Sequence, residues 1–395
     1  MKKLLIIGAS ILQLPAIQKA KEMGFYVGVA DFNPQAVGIK YADEYFNVST
    51  IDIEGVCAVA EEFKPDGIFT LATDMPMRSI AAACKRLGLR GISPETALKA
   101  TDKGEMINAF RKHNVPHPWY YILENAEECE AIIDKISFPC ISKPTDNSGS
   151  KGVMLIHNKD ELLNSLKYSS SQGRNGSVIV EEYMTGSEVS VEIIVLDGVV
   201  HILQITDKLT TGAPHFVEMG HSQPSSLTPQ QIDDIRDVAT RAVKAIGIDN
   251  SPAHVEIMVT DKGAKMIELG SRMGGDCITT HLVPLSTGID MIKAAINIAC
   301  GEKPDLTPKF QKGSAIRFID TPNGTISEIE GVSEAEKMPG ITQISLTKQV
   351  GDTVGDIASS NDRTGFVIAQ GETAEMAVNI CEKAFSEISI TTKQN

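Results

Sequence analysis

Glu256 and Glu268 carry the chemistry this sequence most readily suggests. They lie in two β-rich runs, 255–259 and 265–269, separated by Asp261-Lys262-Gly263, which suits a three-residue loop with its glycine in the left-handed conformation. If Thr260 and Ala264 close that loop, pairing runs outward through Met258 with Met266 to Glu256 with Glu268, and the two acids face each other. Directly opposed residues have Cβ atoms about 4.5–5.5 Å apart, and like charges placed so repel. A cation between them relieves the repulsion, and for an oxygen-only pair the natural choice is Mg²⁺ carrying phosphate. The plain alternative is an exposed hairpin whose acids point to water. Arg272, followed by Gly274-Gly275-Asp276, weighs toward an anionic substrate, since a cation and a glycine-rich turn directly follow the carboxylate pair.

The elements that must position these groups follow from hydrophobic periodicity. Over residues 1–95 strands (4–7, 26–30, 67–71) alternate with helices (14–23, 54–63, 76–87), which predicts a parallel, Rossmann-like unit. Gly8 and Asp31 sit where a dinucleotide fold would have them, but two of the three fingerprint glycines are missing. A tight strand-to-helix turn is therefore preferred over NAD binding. Asp74 follows the third strand, at the carboxyl end where open parallel sheets bind ligands, and is a candidate substrate contact.

Residues 96–185 open a helix at Thr101-Asp102-Lys103 and close a strand at Ser142-Lys143-Pro144. Lysine in a helix's first turn opposes the macrodipole, so Lys103 is placed either for an anionic ligand or simply at the surface. The segment Asp146-Asn147-Ser148-Gly149-Ser150-Lys151-Gly152 lacks the Walker spacing, yet its small residues, amides and lysine suit a lid over phosphates as well as a plain connection. Along the strand after Gly186, Glu188, Ser190 and Glu192 share one face, so Glu188 meets solvent or ligand. Residues 207–223, with Lys208, His215, Glu218 and His221, read as a long functional loop. Helices are expected over 233–246, 288–300 and 373–385, the last closing a tail of short strands.

Composition sets limits. A chain of 395 residues, 42% hydrophobic, has ample core for two or three domains. Its formal net charge of −14 argues against nonspecific partnership with nucleic acid or an anionic membrane. No apolar run approaches the roughly 20 residues that span a bilayer, and the apolar start reads as a buried strand rather than a signal peptide. Seven scattered cysteines without metal or redox spacing fit reduced thiols and a cytoplasmic location.

In this order the pieces resemble the ATP-grasp superfamily, in the three-part layout of biotin carboxylase and purine-pathway ligases. The stretches Ile205-Thr206-Asp207-Lys208-Leu209 and Glu268-Leu269-Gly270-Ser271-Arg272-Met273-Gly274-Gly275-Asp276 are most similar to the L-amino-acid (dipeptide) ligases. The resemblance implies an α/β fold: a Rossmann-like domain (1–95), two ATP-grasp subdomains (96–185, with the lid, and 186–309, with the metal ligands) and a β-rich C-terminal domain (310–395). It implies ATP and Mg²⁺ (or Mn²⁺) as cofactors. Lys103 and Lys143 would contact the phosphates under the lid of Ser148, Gly149, Ser150, Lys151 and Gly152. Glu181, Tyr183 and Met184 would hold adenine, Glu188 the ribose, and Glu256 and Glu268 the metal, while Arg272 would neutralise the carboxylate under attack. Gly270 departs from the commoner asparagine there, which removes a familiar second-metal ligand.

The implied reaction joins a carboxylate to an amine through an acyl phosphate, with catalysis by positioning and charge neutralisation. The resemblance implies a small-molecule acid and amine as substrates, an amino acid or small peptide among them, and a homodimer through the first domain. Candidate substrate contacts are Asp74, Lys208, His215, Glu218, His254, Gly274, Gly275 and Asp276. A purine-type ligase, a noncatalytic nucleotide-binding protein and a dinucleotide oxidoreductase stand as alternatives.

Overall fold

The computed structural model describes residues 1–147, 149 and 151–394. Its first unit is a parallel sheet in the order Glu44–Phe46, Tyr26–Ala30, Lys3–Ile7, Gly67–Phe69. Successive side chains of a strand point to opposite faces, so a run such as Lys3–Ile7 can be apolar throughout only if both faces are covered. Leu5 and Ile7 pack with Val56, Phe63 and Ile80 of helices Ile53–Phe63 and Met77–Leu87. Leu4 and Ile6 pack instead with Ile17 of helix Leu14–Glu22 and Ile292 and Ile296 of Met291–Ala299, a helix some 290 residues further on. The Gly8 turn is filled from within. Asp31 accepts from Ala9 N (2.7 Å) and Asn33 N (2.9 Å), and a Cβ on Gly8 would lie 2.9 Å from the Gln13 side chain. Asp31 is thereby committed to the turn rather than available to a ribose.

A four-stranded antiparallel sheet follows, ordered Tyr120–Leu123, Val178–Glu182, Cys140–Pro144, Met154–Ile156, with helix Lys159–Gln172 against it. The helix expected to open at Thr101-Asp102-Lys103 does so, as Lys103–Lys112, directly after helix Pro94–Thr101. Asp102 caps Lys103–Lys112, accepting from Gly104 N (3.0 Å) and Glu105 N (3.1 Å), and leaves Lys103 at the first helical position.

The largest sheet has eight antiparallel strands, in the order Gly263–Gly270, Ser251–Thr260, Ser187–Leu196, Val199–Thr210, Glu218–Gln223, Gly313–Ile319, Gly365–Gly371, Ile341–Leu346. Two expectations change here. Residues 207–223 are not a long loop: Asp207 pairs with Ser222, Lys208 with His221 and Leu209 with Gly220. The sequence Glu-Met-Gly-His-Ser-Gln has little β propensity, and it is held as a strand because Gly220–Gln223 also pairs with Ser314–Arg317 on its other side. The glutamate hairpin turns at two residues, with Thr260 opposite Gly263 and Met258 opposite Lys265 rather than Met266. A bulge after Glu256 absorbs the one-residue slip, so Glu256 still pairs with Glu268 and His254 with Gly270. A small sheet of Thr353–Val354, Gly324–Glu330 and Ser389–Lys393 completes the fold. No single helix among the described residues is long and apolar enough to cross a membrane.

Candidate active site

Two adjoining chambers meet at the glutamate hairpin. The larger, about 350 Å³, lies between the first unit and the eight-stranded sheet; the smaller, about 160 Å³, lies between the two antiparallel sheets. Lys103, Asn147, Glu256 and Glu268 line both. The carboxylate pair, with Lys103 and Asn147, thus borders both chambers.

The smaller chamber has an apolar slot and a charged end. Ile141, Val153, Met184, Met258 and Ile267 line it together with Tyr183 and Phe216, whose ring centroids are 6.3 Å apart. At the charged end stand six carboxylates (Glu181, Glu182, Glu188, Glu218, Glu256, Glu268) and four lysines (Lys103, Lys143, Lys151, Lys208). Lys143 pairs with Glu181 at 2.5 Å, both almost fully buried. Lys103 reaches Glu268 (3.0 Å) and donates to the Asn147 carbonyl (2.8 Å). Lys208, whose side chain is 3% exposed, is within 2.5 Å of Glu188, 3.3 Å of Glu256 and 3.6 Å of Glu218.

These contacts fix the charge states. Burial opposes the charge on Lys208, but the carboxylates around it outweigh burial and hold its pKa well above the usual lysine value. Burial likewise works to protonate Glu256, and Lys208, His254 and Arg272 override it, keeping that carboxyl well below the ordinary range. Glu268 is lowered despite burial by Lys103 and Lys143. Glu188 goes the other way, because burial and its neighbours Glu256 and Glu218 exceed the help from Lys208. The hairpin therefore offers two anionic oxygen donors, the hard-ligand chemistry a divalent cation such as Mg²⁺ selects. Carboxylates also outnumber lysines here, so a polyphosphate would need added positive charge to enter.

The larger chamber is framed by ion pairs. Arg272 grips Asp74 of the first unit through Nε (3.0 Å) and Nη2 (2.7 Å). Gly270 makes that grip possible, since a Cβ there would lie 2.5 Å from Asp74 Oδ1 and 3.1 Å from Arg272 Cζ. His254 Nδ1 is 3.0 Å from the fully buried Glu192, and its Nε2 is 3.3 Å from Glu256. Burial would lower the His254 pKa, but Glu192 and Glu256 raise it to about 9. A Cβ on Gly274 would stand 2.6 Å from His254 Nδ1, so this glycine admits the imidazole.

Of the residues singled out from sequence, Asp74, Lys103, His254, Glu256, Glu268 and Arg272 line the larger chamber. Lys143, Gly149, Lys151, Glu181, Tyr183, Met184, Glu188, Lys208 and Glu218 line the smaller. Ser148 and Ser150 fall outside the described residues. His215 is exposed at the turn of its hairpin and lines neither chamber. Gly152, Gly274, Gly275 and Asp276 also line neither. Gly152 packs on Pro144 and Gln172, and Asp276 is held by Arg363 (2.8 Å through each of two nitrogens) and His221 (3.3 Å). Sequence reasoning missed Phe216, Arg78, Arg174 and Arg363. Each is an isolated polar or aromatic residue in an unremarkable local pattern, so no local signal marked it.

Residues 136–280 match the ATP-grasp domain and residues 317–393 the L-amino acid ligase C-terminal domain 2. The chain is 26% identical over 393 residues to the alanine–anticapsin ligase of Bacillus subtilis strain 168, covering 86% of this chain and 82% of that protein. Its fold is similar to that of an L-amino acid ligase from Bacillus licheniformis (TM-score 0.85, 20% identity, 100% of this chain and 99% of that one). It is also similar to a phosphoribosylglycinamide synthetase from Anaerococcus prevotii (TM-score 0.81, 25% identity, 99% and 100%).

Proposed function

We propose, from the premise that this chain is an ATP-grasp ligase close to the L-amino acid ligases, that it joins the carboxylate of an amino acid or small peptide to an amine through an acyl phosphate. The observation that carries this reading is the meeting of a partly apolar slot and a larger chamber, lined by Arg78, Arg174 and Arg272, at one pair of ionised glutamates. The slot with Tyr183 and Phe216 suits a planar base, and Lys103 and Lys143 suit its phosphates. Glu256 and Glu268 would hold the divalent ion, and bound MgATP would supply the phosphoryl group that turns a carboxylate into a reactive acyl donor.

The remaining work falls to the protein. Lys103 sits at the boundary of the chambers and neutralises charge where they meet. Arg272, held in place by Asp74, is aimed along the wall of the larger chamber and suits the carboxylate under attack. Gly149 and Lys151, in the segment over the smaller chamber, suit a cover that keeps water from a hydrolysable intermediate.

The test is ADP release from MgATP with pairs of the twenty amino acids, followed by mass spectrometry of the products. Pair-dependent ADP release with a dipeptide of the summed mass, less one water, supports the reading. Absence of ADP with every pair, together with turnover of phosphoribosylamine and glycine, would replace it with a purine-type reaction.

A further inference from the structure

Among the described residues, the larger chamber contains one cation without a carboxylate partner. Lys103 is paired with Glu268, Arg272 with Asp74, and His254 with Glu192 and Glu256. Arg174 lies 3.5 Å from Asp146 and donates to its carbonyl (2.7 Å). Arg78 also lines this chamber, yet among the described residues it forms no ion pair. Its Nε donates to Thr101 Oγ1 (2.7 Å), which fixes the plane of the guanidinium, while Nη2 is buried with no hydrogen-bond partner.

Two costs attach to that arrangement. A buried guanidinium nitrogen without an acceptor forfeits its hydration. Arg78 also stands in the first turn of helix Met77–Leu87, whose positive end disfavours a cation and which has no acidic residue in that turn. An anion against the Arg78 guanidinium would offset the unfavourable charge at this helix end. Beside it, Ile51, Ile53 and Met75 line the same chamber although they are 47%, 40% and 36% exposed, an apolar margin with no protein covering it.

We propose that Arg78 is a specificity-determining residue that receives a second carboxylate of the substrate, so that the larger chamber takes an acidic amino acid or a peptide ending in one. The methylenes of such a ligand lie against Ile51, Ile53 and Met75. A carboxylate rather than a phosphate is assigned because Arg78, the one lining cation among the described residues without a carboxylate partner, adds a single open positive charge beside the Arg272 that suits the reacting carboxylate. This inference rests on the ligase reading above, in which the larger chamber is the substrate chamber.

The experiment is calorimetric titration of the full chain, with Mg²⁺ and a nonhydrolysable ATP analogue present, using L-glutamate, L-glutamine, L-aspartate, L-asparagine and O-phospho-L-serine. The wild type should bind at least one acid about tenfold or more tightly than its amide, the discrimination expected of a charge-assisted hydrogen bond in a sheltered site. Arg78→Met should bring that acid-to-amide ratio to within about twofold, and Arg78→Lys should restore part of it. Equal affinity for acid and amide in the wild type, which needs no variant to fold, overturns the proposal. So does a ratio that survives Arg78→Met, or tighter binding of O-phospho-L-serine than of either acid. ADP release measured on the same panel separates the two readings. Acid selectivity without turnover on any amino-acid pair would remove the ligase reading and keep the Arg78 site; turnover without acid selectivity would do the reverse.

Discussion

Replacing Gly270 by alanine tests how tightly the site is built around the Arg272–Asp74 clamp. Gly270 is not among the positive-φ residues, so alanine meets no backbone strain, and by itself the change should stabilise the fold by about 0.4–1 kcal/mol through the unfolded chain. The added Cβ, however, would stand 2.5 Å from Asp74 Oδ1 and 3.1 Å from Arg272 Cζ, so the two-point ion pair must open. Both side chains are largely buried, at 14% and 20% exposure, and a hydrogen bond to a charged group contributes about 1.5–3 kcal/mol. The balance is a loss of about 1–2 kcal/mol. It should be read as a lower urea midpoint with an unchanged slope, followed by far-ultraviolet circular dichroism. In an Asp74→Ala background the closest contact is gone and Gly270→Ala should be neutral to stabilising by up to about 1 kcal/mol, giving a coupling energy of about 1–3 kcal/mol between the two positions. Equal destabilisation in both backgrounds, or a Gly270→Ala protein within about 0.3 kcal/mol of wild type, would refute the account of Gly270 as the space that admits the clamp.

The other predictions follow from the charges. Lys208→Met strands Glu188, Glu218 and Glu256 without their shared cation and should cost about 3–5 kcal/mol at pH 7 in urea denaturation; a cost under about 1 kcal/mol would show that the cluster is not held by this lysine. Burial raises the Asp276 pKa, but Arg363 and His221 outweigh it and hold the carboxyl below its ordinary 3.8. Its contribution is therefore complete above that value and lost as pH falls through the lower folded value. The stability gap between wild type and Asp276→Asn should shrink by up to about 1.4 kcal/mol per pH unit below 3.8; a gap that widens on acidification below that value contradicts the ion pair. Burial pushes the thiols of Cys84, Cys140 and Cys381 up to about 12, so the native protein at pH 8 should resist iodoacetamide at these three sites. Rapid native alkylation at any of them, located by peptide mass spectrometry, would contradict the buried setting.

What the sequence determined by itself was local. Apolar runs and their periods of 2 and 3.6 are written in adjacent residues, so the parallel strands Lys3–Ile7 and Tyr26–Ala30, the three helices around them and the glutamate hairpin were all legible. The tertiary structure decided what depends on distant partners. Glu218–Gln223 is a strand only because Gly313–Ile319 lies beside it, and the hairpin register is recovered by a bulge that no propensity announces. The roles of single charged side chains were likewise invisible: Lys208 reads from sequence as a loop residue, and no local pattern marks Arg78. Whether a charge is answered or left open depends on which carboxylates the fold brings within a few ångströms, and those come from chain segments up to some 200 residues apart, as with Asp74 and Arg272. Covalent neighbours fix conformational preference, whereas Coulomb and packing energies depend on separation in space, which the folded chain alone supplies.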